Sequence, residues 1–350
     1  MTALESAILR TVAYFDLFSY PLTSWEVWKW LLPAVIASPE YVEGRGNPAD
    51  ETKSTIAPAF LATTSSAGRS SFRISGTPRN DNKWNLIDVV QTLESSTIKE
   101  KLEQRTGFTF LRGRSAIIND RQERYRLALE KLDRAAHFTR TLARIPFVRA
   151  VFACNSLGFA NARAESDIDF FIIVQRNHVW AARLLAAGWA KLRKLRPMPG
   201  NRADKFCLSF FLADDALDVS LLRLATDPYL TMWVATLVPL YDPGNLHAAF
   251  WQANAWAQQA LPNAAPRELA QQRRVHKSIT ARILAPLVRS RAFERMAERL
   301  QRRALAPNLR ALANQDTRVI LNDHMLKFHD NDRREEYAQS FASRLAALGL

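Results

Sequence analysis

The stretch CNSLGFANARAESDIDFFIIV, Cys154 to Val174, decides how this chain is read. An apolar, strand-like run ends at Cys154. A turn of small and polar residues opens at Asn155-Ser156, and Ser166-Asp167-Ile168-Asp169 then leads into the apolar run FFIIV. In a strand, residues i and i+2 point to one side, so Asp167 and Asp169 share a face and Ile168 takes the other. Two carboxylates that close repel one another unless a cation neutralises them. Mg²⁺ suits such a pair, because it takes one or two carboxylates and fills its other positions with water and phosphate oxygens. The turn at Asn155-Ser156 offers a hydroxyl and backbone N–H groups to a phosphate.

Strand, serine turn, spacer and Asp-x-Asp together resemble the nucleotidyltransferase superfamily of the DNA polymerase β type. Ser156 stands where that family carries a serine, Asp167 follows eleven residues later, and Asn155 replaces the usual glycine. Asn tolerates unusual backbone angles better than most residues, which would let the turn survive. The resemblance covers roughly Val148 to Asp242. It implies transfer of a nucleoside monophosphate from an NTP to an acceptor, with one or two Mg²⁺ ions on Asp167 and Asp169 and the phosphates on Ser156. Lys205 and its basic neighbours Lys191, Arg193, Lys194, Arg196 and Arg202 are candidates to neutralise the triphosphate, or are simply solvated.

The family also uses a third carboxylate, on a neighbouring strand, as metal ligand and base. The next strand-like run, KFCLSFFLA, carries Cys207 and Ser209 where that acid is expected. A little further on, Leu217-Asp218-Val219 has an apolar-Asp-apolar pattern, 23 residues before Tyr241. Two alignments compete. In one, Asp218 completes a catalytic and metal-binding triad. In the other, the acid is lost and the chain is a catalytically degenerate nucleotide-binding or DNA-binding regulatory protein.

Around this centre the expected fold class is α/β (α+β): a small mixed sheet in a nucleotidyltransferase-like domain over 121–245, a winged-helix-like module before it and a helical domain after it. The module is read over 1–35 and 84–120. Leu9, Val12, Ala13 and Phe15 form a helical stripe, and Thr23 with Glu26 makes a capping box for a second helix. One or two helices follow Trp84, and GFTFLRGRSAII reads as a hairpin turning at Arg112-Gly113-Arg114. A DNA-binding module of this kind contacts phosphate through its wing arginines; a merely packed one leaves them in water. Residues 36–83, rich in Gly, Pro, Ser, Thr and Asn without a sustained period, read as a disordered or low-complexity insertion.

The region 246–350 reads as all helical. Arg273 to Arg303 holds ten Lys or Arg against two acids, and Arg291, Arg295, Arg299 and Arg302 recur at helical spacing. The cluster HMLKFHDNDRREE matches no zinc spacing and reads as a capped helix end. Over the whole chain 48 basic residues outnumber 34 acidic ones, a formal charge of +14. This excess favours an anionic partner: the nucleotide itself, or nucleic acid on the basic surfaces. The two cysteines lie in apolar runs and suit a reducing compartment. MTALESAILR lacks the pattern of a signal peptide, and the apolar stretch Tyr229–Tyr241 is too short to span a bilayer. The expectation is a cytoplasmic protein with no membrane partner.

Overall fold

The computed structural model describes residues 1–33, 84–198, 200–276 and 278–350. The insertion expected over 36–83 lies outside the described residues.

The first elements are α1 (Ala3–Asp16), β1 (Leu22–Thr23), α2 (Ser24–Lys29), α3 (Leu86–Leu93), α4 (Ser96–Lys101), β2 (Leu102–Arg105) and β3 (Phe108–Leu111). The Thr23–Glu26 capping box forms as the sequence implies, and Thr2 with Glu5 builds another at the start of α1. The strands make an antiparallel sheet in the order β1-β3-β2. The hairpin sits one strand earlier than expected. Its turn is Thr106-Gly107, both with positive φ (50° and 80°), the backbone a two-residue hairpin loop demands. Arg112, Gly113 and Arg114 instead follow β3. Arg112 donates to the Lys99 and Glu100 carbonyls at the end of α4, and Arg114 donates to Asp16 at 3.0 Å, so both arginines brace the module itself.

The chain then builds α5 (Ile117–Leu142), β4 (Val148–Ala153), β5 (Ile168–Val174), α6 (Val179–Leu192), β6 (Phe206–Ala213), α7 (Pro228–Thr236), β7 (Val238–Tyr241), α8 (Leu246–Ala253), α9 (Ala255–Ala260), α10 (Ile279–Val288), α11 (Arg291–Arg303), α12 (Pro307–Leu312), β8 (Val319–Leu321), β9 (Met325–Phe328) and α13 (Arg334–Ala347). Six strands form one mixed sheet, β7-β4-β5-β6-β9-β8, in which only β5 and β6 run parallel. Parallel neighbours need a crossover, and α6 supplies it. The region after residue 246 is therefore not all helical: β8 and β9 pair antiparallel, and β9 extends the sheet beside β6.

Alternation along the strands divides the core in two. Phe152, Phe171, Ile173, Phe210 and Leu212 face one cluster with α1, α7, α8 and α13. Val151, Ala153, Ile168, Phe170, Ile172 and Phe211 face the other with α5 and α6. Helix α6 meets the sheet mainly through Trp180, Ala182, Ala186 and Ala190, while Leu184, Leu185 and Trp189 are only partly buried. The small residues let the helix lie close to the strands.

The N-terminal module is bolted to this body. Arg121 of α5 reaches Glu26 at 3.1 Å and Arg344 of α13 reaches Asp16 at 2.9 Å. The Tyr14 and Phe341 rings meet edge to face with centroids 5.8 Å apart. No helix among the described residues is long and apolar enough to cross a membrane.

Candidate functional site

The site forms where three strands meet. Ile168 and Phe170 point into the α5–α6 core, so Asp167 and Asp169 point to the other face, toward the N-terminal module. Cys154 N–H donates to the Asp169 carbonyl at 3.1 Å, which sets the turn after β4 beside the start of β5. That turn is a short 3₁₀ segment, Asn155–Leu157, and Asn155 sits at φ 54°. This is the left-handed region where glycine is at ease and Asn is the next best choice, so the asparagine keeps the turn that a glycine would make. Gly158 closes the turn against α7: a Cβ there would lie 2.9 Å from Thr236 Oγ1 and 3.0 Å from the Asn155 carbonyl.

Asp169 pairs with Cys207 across the parallel β5–β6 register. Ligand atoms of Asp167, Asp169 and Cys207 all lie within 4.8 Å of one another, the one such metal-capable group among the described residues. Burial, reinforced by the Asp167 charge, pushes the Asp169 carboxyl up to about 6, against hydrogen bonds from Asn155 and Cys207 that favour its charged form. Burial and the Asp169 charge push the Cys207 thiol well up, so it stays protonated at neutral pH. The Arg202 guanidinium donates to Asp167 at 3.0 Å and is the cation now facing the pair.

The approach to Asp167 is held by a buried lysine. Lys131 of α5 donates to the Ala164 carbonyl (3.1 Å), the Ser166 carbonyl (2.9 Å) and Asp204 (2.7 Å). All three protons of the ammonium are thereby used.

On the far side of the Asn155-Ser156 turn a cleft of about 440 Å³ opens between that turn, α7, α13 and the end of α1. Asn155 and Ser156 line one wall; Phe18, Tyr229, Trp233 and Tyr337 supply aromatic surface. Arg124, Arg163 and Arg333 also line it, Arg124 paired with Asp120 at 3.1 Å and Arg333 with Glu336 at 2.5 Å. A smaller cavity of about 160 Å³ adjoins it, sharing Asn155, Tyr229 and Trp233 and reaching His329. His329 accepts or donates a 2.9 Å hydrogen bond with Ser209, and burial drives its imidazole down to about 3, so it is neutral. A volume of this size, with aromatic walls and a few convergent polar groups, fits a nucleotide-sized ligand.

Four of the residues singled out from sequence converge here: Asn155, Ser156, Asp167 and Asp169. Two do not. Asp218 lies past Ala213, the last residue of β6, whereas Cys207 is at that strand's beginning. The metal-capable group at Asp167, Asp169 and Cys207 does not include Asp218. The Asp218 carboxylate is exposed and accepts from Ser220 N–H at 2.8 Å, capping a local turn. Asp218 therefore stands apart from the two carboxylates, and Cys207 is the residue beside them. Lys205 also points elsewhere, donating to the Lys194 carbonyl at the end of α6 at 3.1 Å, while Arg202 takes the place beside the carboxylates. The acid-rich segment near His324 is strand β9 and the turn after it. There Asp332 pairs with Arg334 at 2.8 Å.

The aromatic and arginine lining, Phe18, Tyr229, Trp233, Arg333 and Tyr337, has no motif in the sequence, because α1, α7 and α13 lie far apart along the chain. Comparison of the chain with protein-family models, with characterised proteins and with solved structures finds no match.

Proposed function

We propose that the chain binds a nucleoside triphosphate with one Mg²⁺ in this cleft and transfers its nucleoside monophosphate slowly to an acceptor hydroxyl, as a nucleotidyltransferase one carboxylate short. One observation carries the reading: two carboxylates at the start of β5 sit beside a left-handed Asn-Ser turn, and that turn lines an arginine-bearing, aromatic-walled cleft. The parallel β5–β6 pair with its crossover helix, and the antiparallel β1-β3-β2 module at the N-terminus, support the nucleotidyltransferase-like and winged-helix-like likenesses.

The donor set decides how many ions fit. Asp167 and Asp169 offer hard carboxylate oxygens, which suit Mg²⁺. The third position offers a protonated sulfur, a soft donor that suits it poorly. One ion on two carboxylates fits these residues, and a second ion does not. When bound, Mg²⁺ would neutralise phosphate charge and polarise the phosphorus under attack. Arg202 would release Asp167 to the ion and remain available to a phosphate oxygen. The Ser156 hydroxyl and the N–H groups of its turn would orient the phosphates, and Arg163 and Arg333 would steady their charge. Tyr229, Trp233 and Tyr337 would exclude water and present flat surfaces to a base. No carboxylate stands at Cys207 to draw the proton from an attacking hydroxyl, which is why the expected turnover is low.

The same cysteine favours a second reading, a nucleotide sensor that binds without turnover. Incubating the protein with each labelled NTP and Mg²⁺, and measuring both binding and pyrophosphate release, separates the readings. Binding with slow release supports transfer. Binding with no release under any acceptor supports sensing, and no binding refutes both.

A further inference from the structure

Away from this cleft, helix α10 presents an apolar face that none of the described residues covers. Ile279, Ile283 and Leu287 recur every four residues and are 70%, 66% and 76% exposed; Leu284 extends the stripe, and no residue of α10 is buried. Met296 and Leu300 on α11 are exposed as well. Arg282, Arg289, Arg291, Arg295, Arg299 and Arg303 surround these side chains, all of them exposed. An aliphatic stripe edged by arginines on a surface helix is the pattern of an element that lies in a membrane interface, its apolar face in the acyl boundary and its cations among headgroups.

A cavity lies behind α10, on the side that the helix turns away from the stripe. Its volume is about 500 Å³, and it opens between the start of α6 and the α10–α11 joint, with Arg289 and Arg291 on one side and His178 and Phe147 on the other. The His178 ring stacks on Phe147 at 3.8 Å, and its buried Nδ1 has no hydrogen-bond partner among the described residues.

We infer that α10 and α11 dock this protein on an anionic phospholipid surface, with the α10 stripe entering the interface and the exposed arginines of the two helices, Arg289 and Arg291 among them, meeting the headgroups. The sequence led to an expectation of no membrane partner, and the exposure of α10 revises it: the helix lies on a bilayer and does not span one. A symmetric contact with a second copy would bring the same six arginines against themselves, and that repulsion argues against self-association here. Single-stranded nucleic acid would be met by aromatic platforms, and the stripe is aliphatic.

Co-sedimentation of the full chain with large vesicles tests this. Vesicles of phosphatidylcholine alone should leave the protein in the supernatant, and vesicles carrying about 30% phosphatidylglycerol should retain it, less so as salt rises. Ile283→Ser with Leu287→Ser should weaken retention about tenfold or more, since both side chains leave the interface. Arg289→Gln with Arg291→Gln should weaken it likewise. All four side chains are exposed, so the melting temperature should not move. Three results would overturn the inference. The first is no retention on anionic vesicles. The second is retention that the serine variant leaves unchanged, which would make the attraction bare electrostatics. The third is a dimer in the ultracentrifuge that Ile283→Ser dissolves while vesicles bind nothing.

Discussion

Replacing Cys207 by aspartate asks directly whether β6 carries the third position of the metal site. The ligand atoms there lie within 4.8 Å of one another. At that distance and an effective dielectric constant of about 20, two negative charges repel by about 3.5 kcal/mol. A third carboxylate adds two such pairs. Without a divalent ion the variant therefore keeps one carboxyl protonated and melts below the wild type. With Mg²⁺ the repulsion turns into ligation, and the new group can accept the acceptor's proton, a contribution of roughly 10²-fold or more to a transfer rate. The expectation is a larger Mg²⁺-induced rise in melting temperature than in the wild type, together with about a hundredfold faster pyrophosphate release. Cys207→Asn, similar in size but uncharged, should show neither. Calorimetry with and without Mg²⁺ and a pyrophosphate assay read both quantities. A folded Cys207→Asp protein whose Mg²⁺ response and rate match the wild type would refute the placement of Cys207 at the metal.

Three further outcomes follow from the geometry. Lys131→Met leaves two carbonyls and Asp204 without their buried ammonium; a stability loss of about 3 kcal/mol is expected in a denaturant melt, and a loss under about 1 would show that the loop finds other partners. Asn155→Gly keeps the left-handed turn while Asn155→Ala strains it, so the alanine variant should be the less stable by about 1 kcal/mol, and the reverse order would contradict the turn's role. Glu294 caps α6 from α11, accepting from Trp180 and Ala181 N–H at 2.7 and 3.0 Å, and burial pushes its carboxyl up to about 7. A raised carboxyl contributes stability that is complete below its ordinary value of 4.5 and is lost as pH climbs through about 7. Relative to Glu294→Gln, the wild type should lose about 1–2 kcal/mol between pH 5 and pH 8 once screening at this partly exposed site is allowed for, and a flat difference would contradict the shift.

The parts of the fold that were legible in the sequence are those with local causes. The Thr23–Glu26 box needs only four residues, and Asp167 and Asp169 follow from the two-residue period of one strand. The β8–β9 hairpin carries no strand signal in the sequence, because its strands are three and four residues long, too short to show alternation, and because Lys327 interrupts the apolar pattern of β9. That lysine is buried nonetheless, its ammonium donating to the Thr317 carbonyl at 2.6 Å, a partner no periodicity reveals. Asp218 misled for a related reason. An apolar-Asp-apolar triplet looks the same on a strand as in the turn beyond it, and only the register Asp169 to Cys207 tells them apart. The cleft's aromatic walls are a tertiary product of α1, α7 and α13, and no window of sequence contains them.

The central claim is that Asp167 and Asp169 hold a metal-bound nucleotide, and titration calorimetry tests it most directly. Wild-type protein, Asp169→Asn and Asp167→Asn would each be titrated with ATP, GTP, CTP and UTP, with Mg²⁺ and with chelator. Saturable, Mg²⁺-dependent binding of at least one nucleotide to the wild type is expected, with loss of that binding in both variants while their melting temperatures stay close to the wild type's. Binding that survives chelation, or survives both substitutions, would contradict it.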